Sequence, residues 1–334
     1  MSAPRPPEPP DAADRALRVG CPMWANRDWV GGALPGPVPA GRELAAYAAV
    51  CNAVEGNTTF YGIPRPSTVE RWVDQAPEAF RFVFKLPRRI THDQRLRGSP
   101  REVGEFCERL APLGPRLGPT SVQLPASFGP ADLAVLDRFL AGLPSSLRWA
   151  VEVRHRDFCE GGEAEHRLND LLATRDVDRV LLDTRALFAG PATTPAEREA
   201  FERKPRLTVR AVATARRPIV RFIGQTSPGT DPQFLARWVQ TFARWIGDGR
   251  RPYFFAHTPD NRRAPMLARS FHAEVGRLVT DLAPLPVTTG PAEPDTSQTQ
   301  PNLFGPEPGP RGDGTAPTSR PGDDQNRPNE RNWR

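Results

Sequence analysis

Cysteine is scarce in this chain: Cys21, Cys51, Cys107 and Cys159 are the only four in 334 residues, and no two form a C-x-x-C pair. That scarcity excludes a disulfide framework and a cysteine-rich metal site, and it fits a reducing cytoplasm. Long apolar runs are also missing. No stretch reaches the ~18 apolar residues that cross a bilayer, so no membrane partner is expected. The first sixteen residues, MSAPRPPEPPDAADRA, lack the apolar core of a signal peptide. A dense basic block is absent as well. The formal net charge is +6, but arginines are spread through the whole chain. Contact with nucleic acid or another polyanion is therefore permitted without being demanded.

What is present is a series of eight short apolar runs, at 17–21, 51–57, 80–86, 120–124, 147–155, 179–183, 218–223 and 252–257. Helix-like segments separate most of them, and strands alternating with helices argue for a parallel sheet. Eight such units over roughly 270 residues match a TIM-barrel-like (β/α)8 single domain. The ordered domain is expected over 17–285, between a disordered segment 1–16 and a tail, 286–334. The tail is rich in Pro, Gly, Thr and Asp and poor in aliphatic residues. It cannot bury enough apolar surface to offset the entropy of ordering.

Helix signals fall between the runs. Ser67 with Glu70 three residues later reads as an N-cap and capping box. Ser99-Pro100 and Asp231-Pro232 each place Pro at a helix start. Phe234, Leu235, Trp238, Phe242 and Trp245 form a stripe at helical spacing that packs on the barrel wall. The stretch 186–214 is longer than an ordinary connection, and a short helix plus a loop over the barrel mouth is expected there.

Strand alternation sorts the side chains. In Phe80-Arg81-Phe82-Val83-Phe84-Lys85 the phenylalanines share the outer face, which turns Lys85 toward the barrel axis. The same rule directs Glu55, Asn57, Gln123, Glu152, Arg154, Asp183, Arg221 and His257 inward. A buried charge without partners is very costly, so these groups satisfy one another or serve a ligand. A barrel built only for stability prefers Val, Ile and Leu there. Glu55, Lys85, Glu152, His155 and Asp183 are the candidate catalytic residues. Asn57, His92, Gln123, Arg154, Arg221 and His257 are the candidate substrate-binding residues.

Several chemistries fit this ring. Glu55, Glu152, Asp183 and His257 are a ligand set that suits a divalent cation, although the interleaved Lys and Arg oppose one, and no metal site is assigned. Lys85, Arg154 and Arg221 suit a phosphate or other anion, since Arg grips phosphate in a bidentate fashion. Proton transfer has Glu152, His155 or His92 available. A desolvated Lys85 can form a Schiff base. No cofactor is named by the sequence.

Several blocks carry a resemblance. They are Val54-Glu55-Gly56-Asn57-Thr58-Thr59-Phe60-Tyr61, Phe82-Val83-Phe84-Lys85-Leu86-Pro87, Thr91-His92, Gln123-Leu124-Pro125-Ala126-Ser127-Phe128, Val151-Glu152-Val153-Arg154-His155, Asp183, Arg221-Phe222-Ile223-Gly224 and Phe255-Ala256-His257-Thr258-Pro259-Asp260. In order and spacing they resemble the YecE-like family, also called domain of unknown function 72. The His-Thr-Pro-Asp ending is similar to that of the branch nearest YecE. The resemblance implies a TIM-barrel-like fold and no particular reaction.

A second signal lies in the tail. Gln300-Pro301-Asn302-Leu303-Phe304 resembles the Gln-x-x-Leu-Phe peptide by which bacterial proteins dock on the DNA polymerase sliding clamp. Leu303 and Phe304 would fill an apolar pocket and Gln300 would hydrogen-bond beside it. Two readings therefore stand. One is a cytoplasmic barrel enzyme acting on an anionic, phosphate-bearing or nucleic-acid-related substrate. The other is a non-enzymatic accessory protein that binds a ligand or nucleic acid and is tethered to the clamp.

Overall fold

In the computed structural model, residues 15–34, 36–227, 229 and 231–286 are described. The expectations for 1–14 and 287–334, including the 300–304 peptide, lie outside them. The chain runs β1 (Arg18–Cys21), α1 (Glu43–Ala48), β2 (Ala53–Gly56), α2 (Pro66–Gln75), β3 (Arg81–Phe84), α3 (Pro100–Leu110), β4 (Thr120–Gln123) and α4 (Leu133–Ala141). It continues through β5 (Trp149–Glu152), α5 (Glu163–Thr174), β6 (Asp178–Asp183), α6 (Pro195–Arg203), β7 (Ile219–Ile223), α7 (Asp231–Gly247), β8 (Tyr253–His257) and α8 (Ala264–Gly276). All ladders are parallel, in the order β3-β2-β1-β8-β7-β6-β5-β4. Single bridges, Phe82 to Leu117 and Lys85 to Ser121, join β3 to β4 and close the barrel.

The outer face of β3 behaves as alternation requires. Phe82 and Phe84 stack on Trp72 of α2, with ring centroids 6.1 and 4.8 Å apart. On α7, Phe242 meets Phe254 of β8 and Phe271 of α8 edge-on, at 6.0 and 4.9 Å. Tyr47 of α1 ties two strands together: its hydroxyl accepts from the Cys21 N–H at 2.7 Å and donates to the Ala53 carbonyl at 2.9 Å.

Inside the barrel, Ala53, Val83, Ala150, Val180, Ile219, Tyr253 and Phe255 form one apolar cluster. This plug fills the middle, so a ligand reaches only the ends. Helix α6 departs from the outer ring. Its Ala200 and Phe201 pack with Leu182, Leu187, Phe188 and Ile223, and Leu182 and Ile223 are inward residues at the C-terminal ends of their strands. The long 186–214 connection thus lays a helix over the mouth. Thr194 caps it by accepting from the Glu197 N–H at 3.2 Å, while the Glu197 carboxylate accepts from the Thr194 N–H at 3.0 Å.

One helix start differs from expectation. Helix α2 begins at Pro66 with Arg65 as its cap, and no side chain makes a capping bond there. Proline's fixed φ suits the first helical position, which places Ser67 inside the helix. No helix among the described residues is long and apolar enough to cross a membrane.

Candidate functional site at the barrel mouth

Seven of the expected residues converge at the C-terminal end of the barrel. Glu55 pairs in register with Val83, Gln123 with Glu152, and Ile223 with His257. Arg221, on the inner face of β7, lies between two carboxylates: its Nε is 2.6 Å from Glu55 Oε1 and its Nη1 is 2.8 Å from Glu152 Oε2. Lys85 Nζ donates to Gln123 Oε1 at 3.0 Å and stands 3.8 Å from Glu55 Oε1. Arg154 Nε donates to Glu152 Oε1 at 3.0 Å. His257 Nε2 is 3.3 Å from Glu55 Oε2. Glu55, Lys85, Gln123, Glu152, Arg221 and His257 are all buried, and Arg154 is part-exposed at the opening.

Two further residues stand beside the ring. Asn57 donates to the Pro22 carbonyl at 2.9 Å and fastens the loops after β1 and β2 to each other. His92 lies edge-on to Phe60 at 5.2 Å and 2.9 Å from the Thr91 hydroxyl. Burial, with the nearby Arg154 and Arg88, lowers its pKa.

Asp183 and His155 do not join the ring. Leu182, not Asp183, pairs with Arg221, and Asp183 pairs with the outward Phe222. The Asp183 carboxylate therefore sits in the layer between sheet and helices. There it accepts from Trp238 Nε1 of α7 at 2.7 Å and from Arg185 Nε and Nη2 at 2.9 and 2.7 Å. His155 follows the inward Arg154 and so points the other way. Its Nδ1 accepts from the Asp157 N–H at 3.3 Å, capping a short 3-10 turn. The Glu55, Glu152, Asp183 and His257 set thus forms no cation cage, because Arg221 occupies the space between two of its carboxylates. Among the described residues, no group of three or more His, Cys, Asp or Glu side chains is arranged to hold a metal.

One residue of the mouth was missed by strand alternation. Lys204 follows α6 and lies in the field of Arg221, Arg154, Glu152 and Glu55. Composition carried its signal. The chain holds only two lysines, Lys85 and Lys204, against a large excess of arginine, and both are at the mouth. Wherever a permanent cation suffices the chain uses Arg; Lys is the residue that can give up its proton.

Four cations, Lys85, Arg154, Lys204 and Arg221, thus face two carboxylates, and this imbalance sets the protonation states. Burial alone would raise the carboxyl pKa values. The facing Arg221 and Lys85 outweigh it at Glu55, which is held well below the usual carboxylate range. Arg221 and Arg154 do the same at Glu152, down to about 2. Burial and repulsion from Arg221 bring Lys85 down to about 8. Burial, Arg221 and Arg154 bring Lys204 to about 8 as well. Burial, aided by Arg221, lowers His257 to about 4 despite the adjacent Glu55. At neutral pH the carboxylates are ionised and His257 is neutral.

These shifts make stability depend on pH. His257 has a folded pKa near 4 against about 6.5 unfolded, and Glu152 near 2 against about 4.5. In each interval the unfolded chain binds more protons, so stability is full above the higher value and falls as pH falls. Urea unfolding is expected to show a loss between pH 6.5 and 4.5 that His257→Asn diminishes by roughly 1–3 kcal/mol. Parallel pH profiles for the two proteins would show that His257 is not held neutral.

Comparison with known proteins agrees with the fold. Residues 18–291 match the family model described as "Protein of unknown function DUF72". The chain is 39% identical over 270 residues to the UPF0759 protein YecE of Escherichia coli K12, covering 81% of this chain and 96% of that protein. Its counterpart in Escherichia coli O157:H7 is 38% identical over the same length. A solved DUF72 family protein from Thermotoga maritima superposes with a TM-score of 0.59 at 20% identity, over 77% of this chain and 98% of that one. One from Enterococcus faecalis gives 0.58 at 18% identity, over 79% and 95%. At such identities the solved structures speak to fold alone, whereas the family model and the YecE proteins cover nearly the whole barrel, and on that ground the chain belongs to the DUF72 family.

Proposed function

We propose that this protein is an enzyme acting on a phosphate-bearing substrate, a small molecule or part of a nucleic acid, at the C-terminal mouth of the barrel. The observation that carries this reading is the unbalanced charge. Arg221 is consumed by Glu55 and Glu152. Arg154 spends only its Nε on Glu152, and among the described residues its two Nη groups have no partner. An oxyanion at the opening would take the bidentate contact that Arg offers. Lys85 is the group best matched to proton transfer near neutral pH, since its pKa of about 8 lies close to the working range. Glu55 and Glu152 stay ionised, so they orient cations and cannot serve as acids. Inorganic pyrophosphate is expected to bind by calorimetry and to bind more weakly as pH rises through about 8, where the two lysines lose their protons. Charge-assisted hydrogen bonds contribute about 1.5–3 kcal/mol, so Arg154→Ala should weaken binding by roughly tenfold to a hundredfold. Binding that is absent, or indifferent to both pH and Arg154→Ala, would leave the ring as a structural network.

A second reading rests on the 300–304 peptide: an accessory protein tethered to the DNA polymerase sliding clamp. Burying Leu303 and Phe304 gains roughly 3–6 kcal/mol before ordering costs, and hydrogen bonds from Gln300 and the peptide backbone must supply the rest of the roughly 8 kcal/mol net that a micromolar affinity needs. A peptide spanning 296–306 is expected to bind purified clamp, and Leu303→Ala with Phe304→Ala to remove the binding. No signal at high micromolar peptide would return the segment to a linker.

A further inference from the structure

The two lysines are not equivalent. Lys85 is fully enclosed, with its ammonium held by Gln123 and Glu55. Lys204 is half-buried, and among the described residues its amine has no hydrogen-bond or ion-pair partner. It lines a cavity of about 190 Å³ between α6 and the end of β8, together with Ile223, His257, Thr258 and Asn261. His257 lines that cavity too, with its Nε2 3.3 Å from the Glu55 carboxylate.

We propose that Lys204 is a nucleophilic amine that forms an imine with the carbonyl carbon of an anionic aldehyde or ketone bound in this cavity. The proposal rests on the phosphate-bearing reading above and narrows it to carbonyl compounds. The lone pair of neutral Lys204 Nζ attacks the carbonyl carbon. A C–N bond forms, the C–O π pair moves to oxygen, and that oxygen takes up the proton released by nitrogen. The hydroxyl then leaves as water with a second proton from nitrogen, and the C=N bond closes. Amine and carbonyl become imine and water, with no oxidant or reductant. His257 lines the same cavity, and its Nε2 is engaged with Glu55, so both protons pass through solvent. Two features equip Lys204 for this role. An amine beside other cations in a partly desolvated site is activated as a nucleophile, and burial with the nearby Arg221 and Arg154 lowers its pKa to about 8. Arginine could supply the charge but not the chemistry, which accounts for a lysine in a chain that otherwise avoids it.

The experiment treats the full-length protein with glycolaldehyde phosphate and sodium cyanoborohydride, then maps the adduct by peptide mass spectrometry. With two lysines in the chain, assignment is direct. The expected result is one reduced adduct on Lys204, retained in Lys85→Met and diminished at least about tenfold in Lys204→Arg, which keeps the cation but not the nucleophile. Circular dichroism checks that each variant folds. No adduct, or an adduct confined to the N-terminal amine or to Lys85, overturns the proposal. Pyrophosphate binding measured on the same samples separates the two claims: binding without an adduct leaves the anion site standing and removes the imine. An adduct on Lys204 without pyrophosphate binding does the reverse.

Discussion

Arg221 bridges two buried carboxylates, 2.6 Å from Glu55 and 2.8 Å from Glu152, and the other charges at the mouth take their states from that bridge. Arg221 and Lys85 together balance the two carboxylates, so Arg154 and Lys204 add positive charge that no buried group cancels. His257 is kept neutral and both lysines are pushed toward deprotonation. A buried ionic cluster of this kind is weak evidence for stability, because desolvation consumes much of the Coulomb gain. Losing one member is a different matter. Without Arg221 two carboxylates would remain buried with too little compensation.

The fold explains why this cluster lies at one end. The apolar plug of Val83, Ala150, Val180, Ile219 and Phe255 closes the barrel below it. The loop after β2 is braced against the end of β3 by the Thr59 hydroxyl, which donates to the Lys85 carbonyl at 2.7 Å. On the opposite side α6 covers the mouth and delivers Lys204 from outside the sheet. The site therefore combines a rigid ring from the strands with one amine from a connection, an arrangement in which loops carry function on a fixed scaffold.

Much of this was legible in the sequence. The eight strands, and the inward positions of Glu55, Lys85, Gln123, Glu152, Arg154, Arg221 and His257, follow from the period of two. The same rule failed where the phase was wrong. In β6 the last polar residue was taken as the mouth residue, yet Leu182 faces Arg221, and a slip of one position moves a side chain to the other face. His155 was chosen for its chemistry against the rule, since alternation from the inward Arg154 turns it outward, where it caps a short turn. Lys204 escaped for another reason: it lies on no strand, so periodicity says nothing about it. Only the near absence of lysine elsewhere pointed to it.

The electrostatic state of the mouth decides what it can bind, and the two lysines report that state directly. Protein labelled with ¹³C-lysine gives two ε-carbon signals by NMR, assigned with Lys85→Met and Lys204→Met. Both are expected to titrate with midpoints near 8, and pyrophosphate should move both upward, since a bound anion favours the charged amine. Midpoints near the ordinary lysine value of 10.5, unmoved by pyrophosphate, would contradict that state.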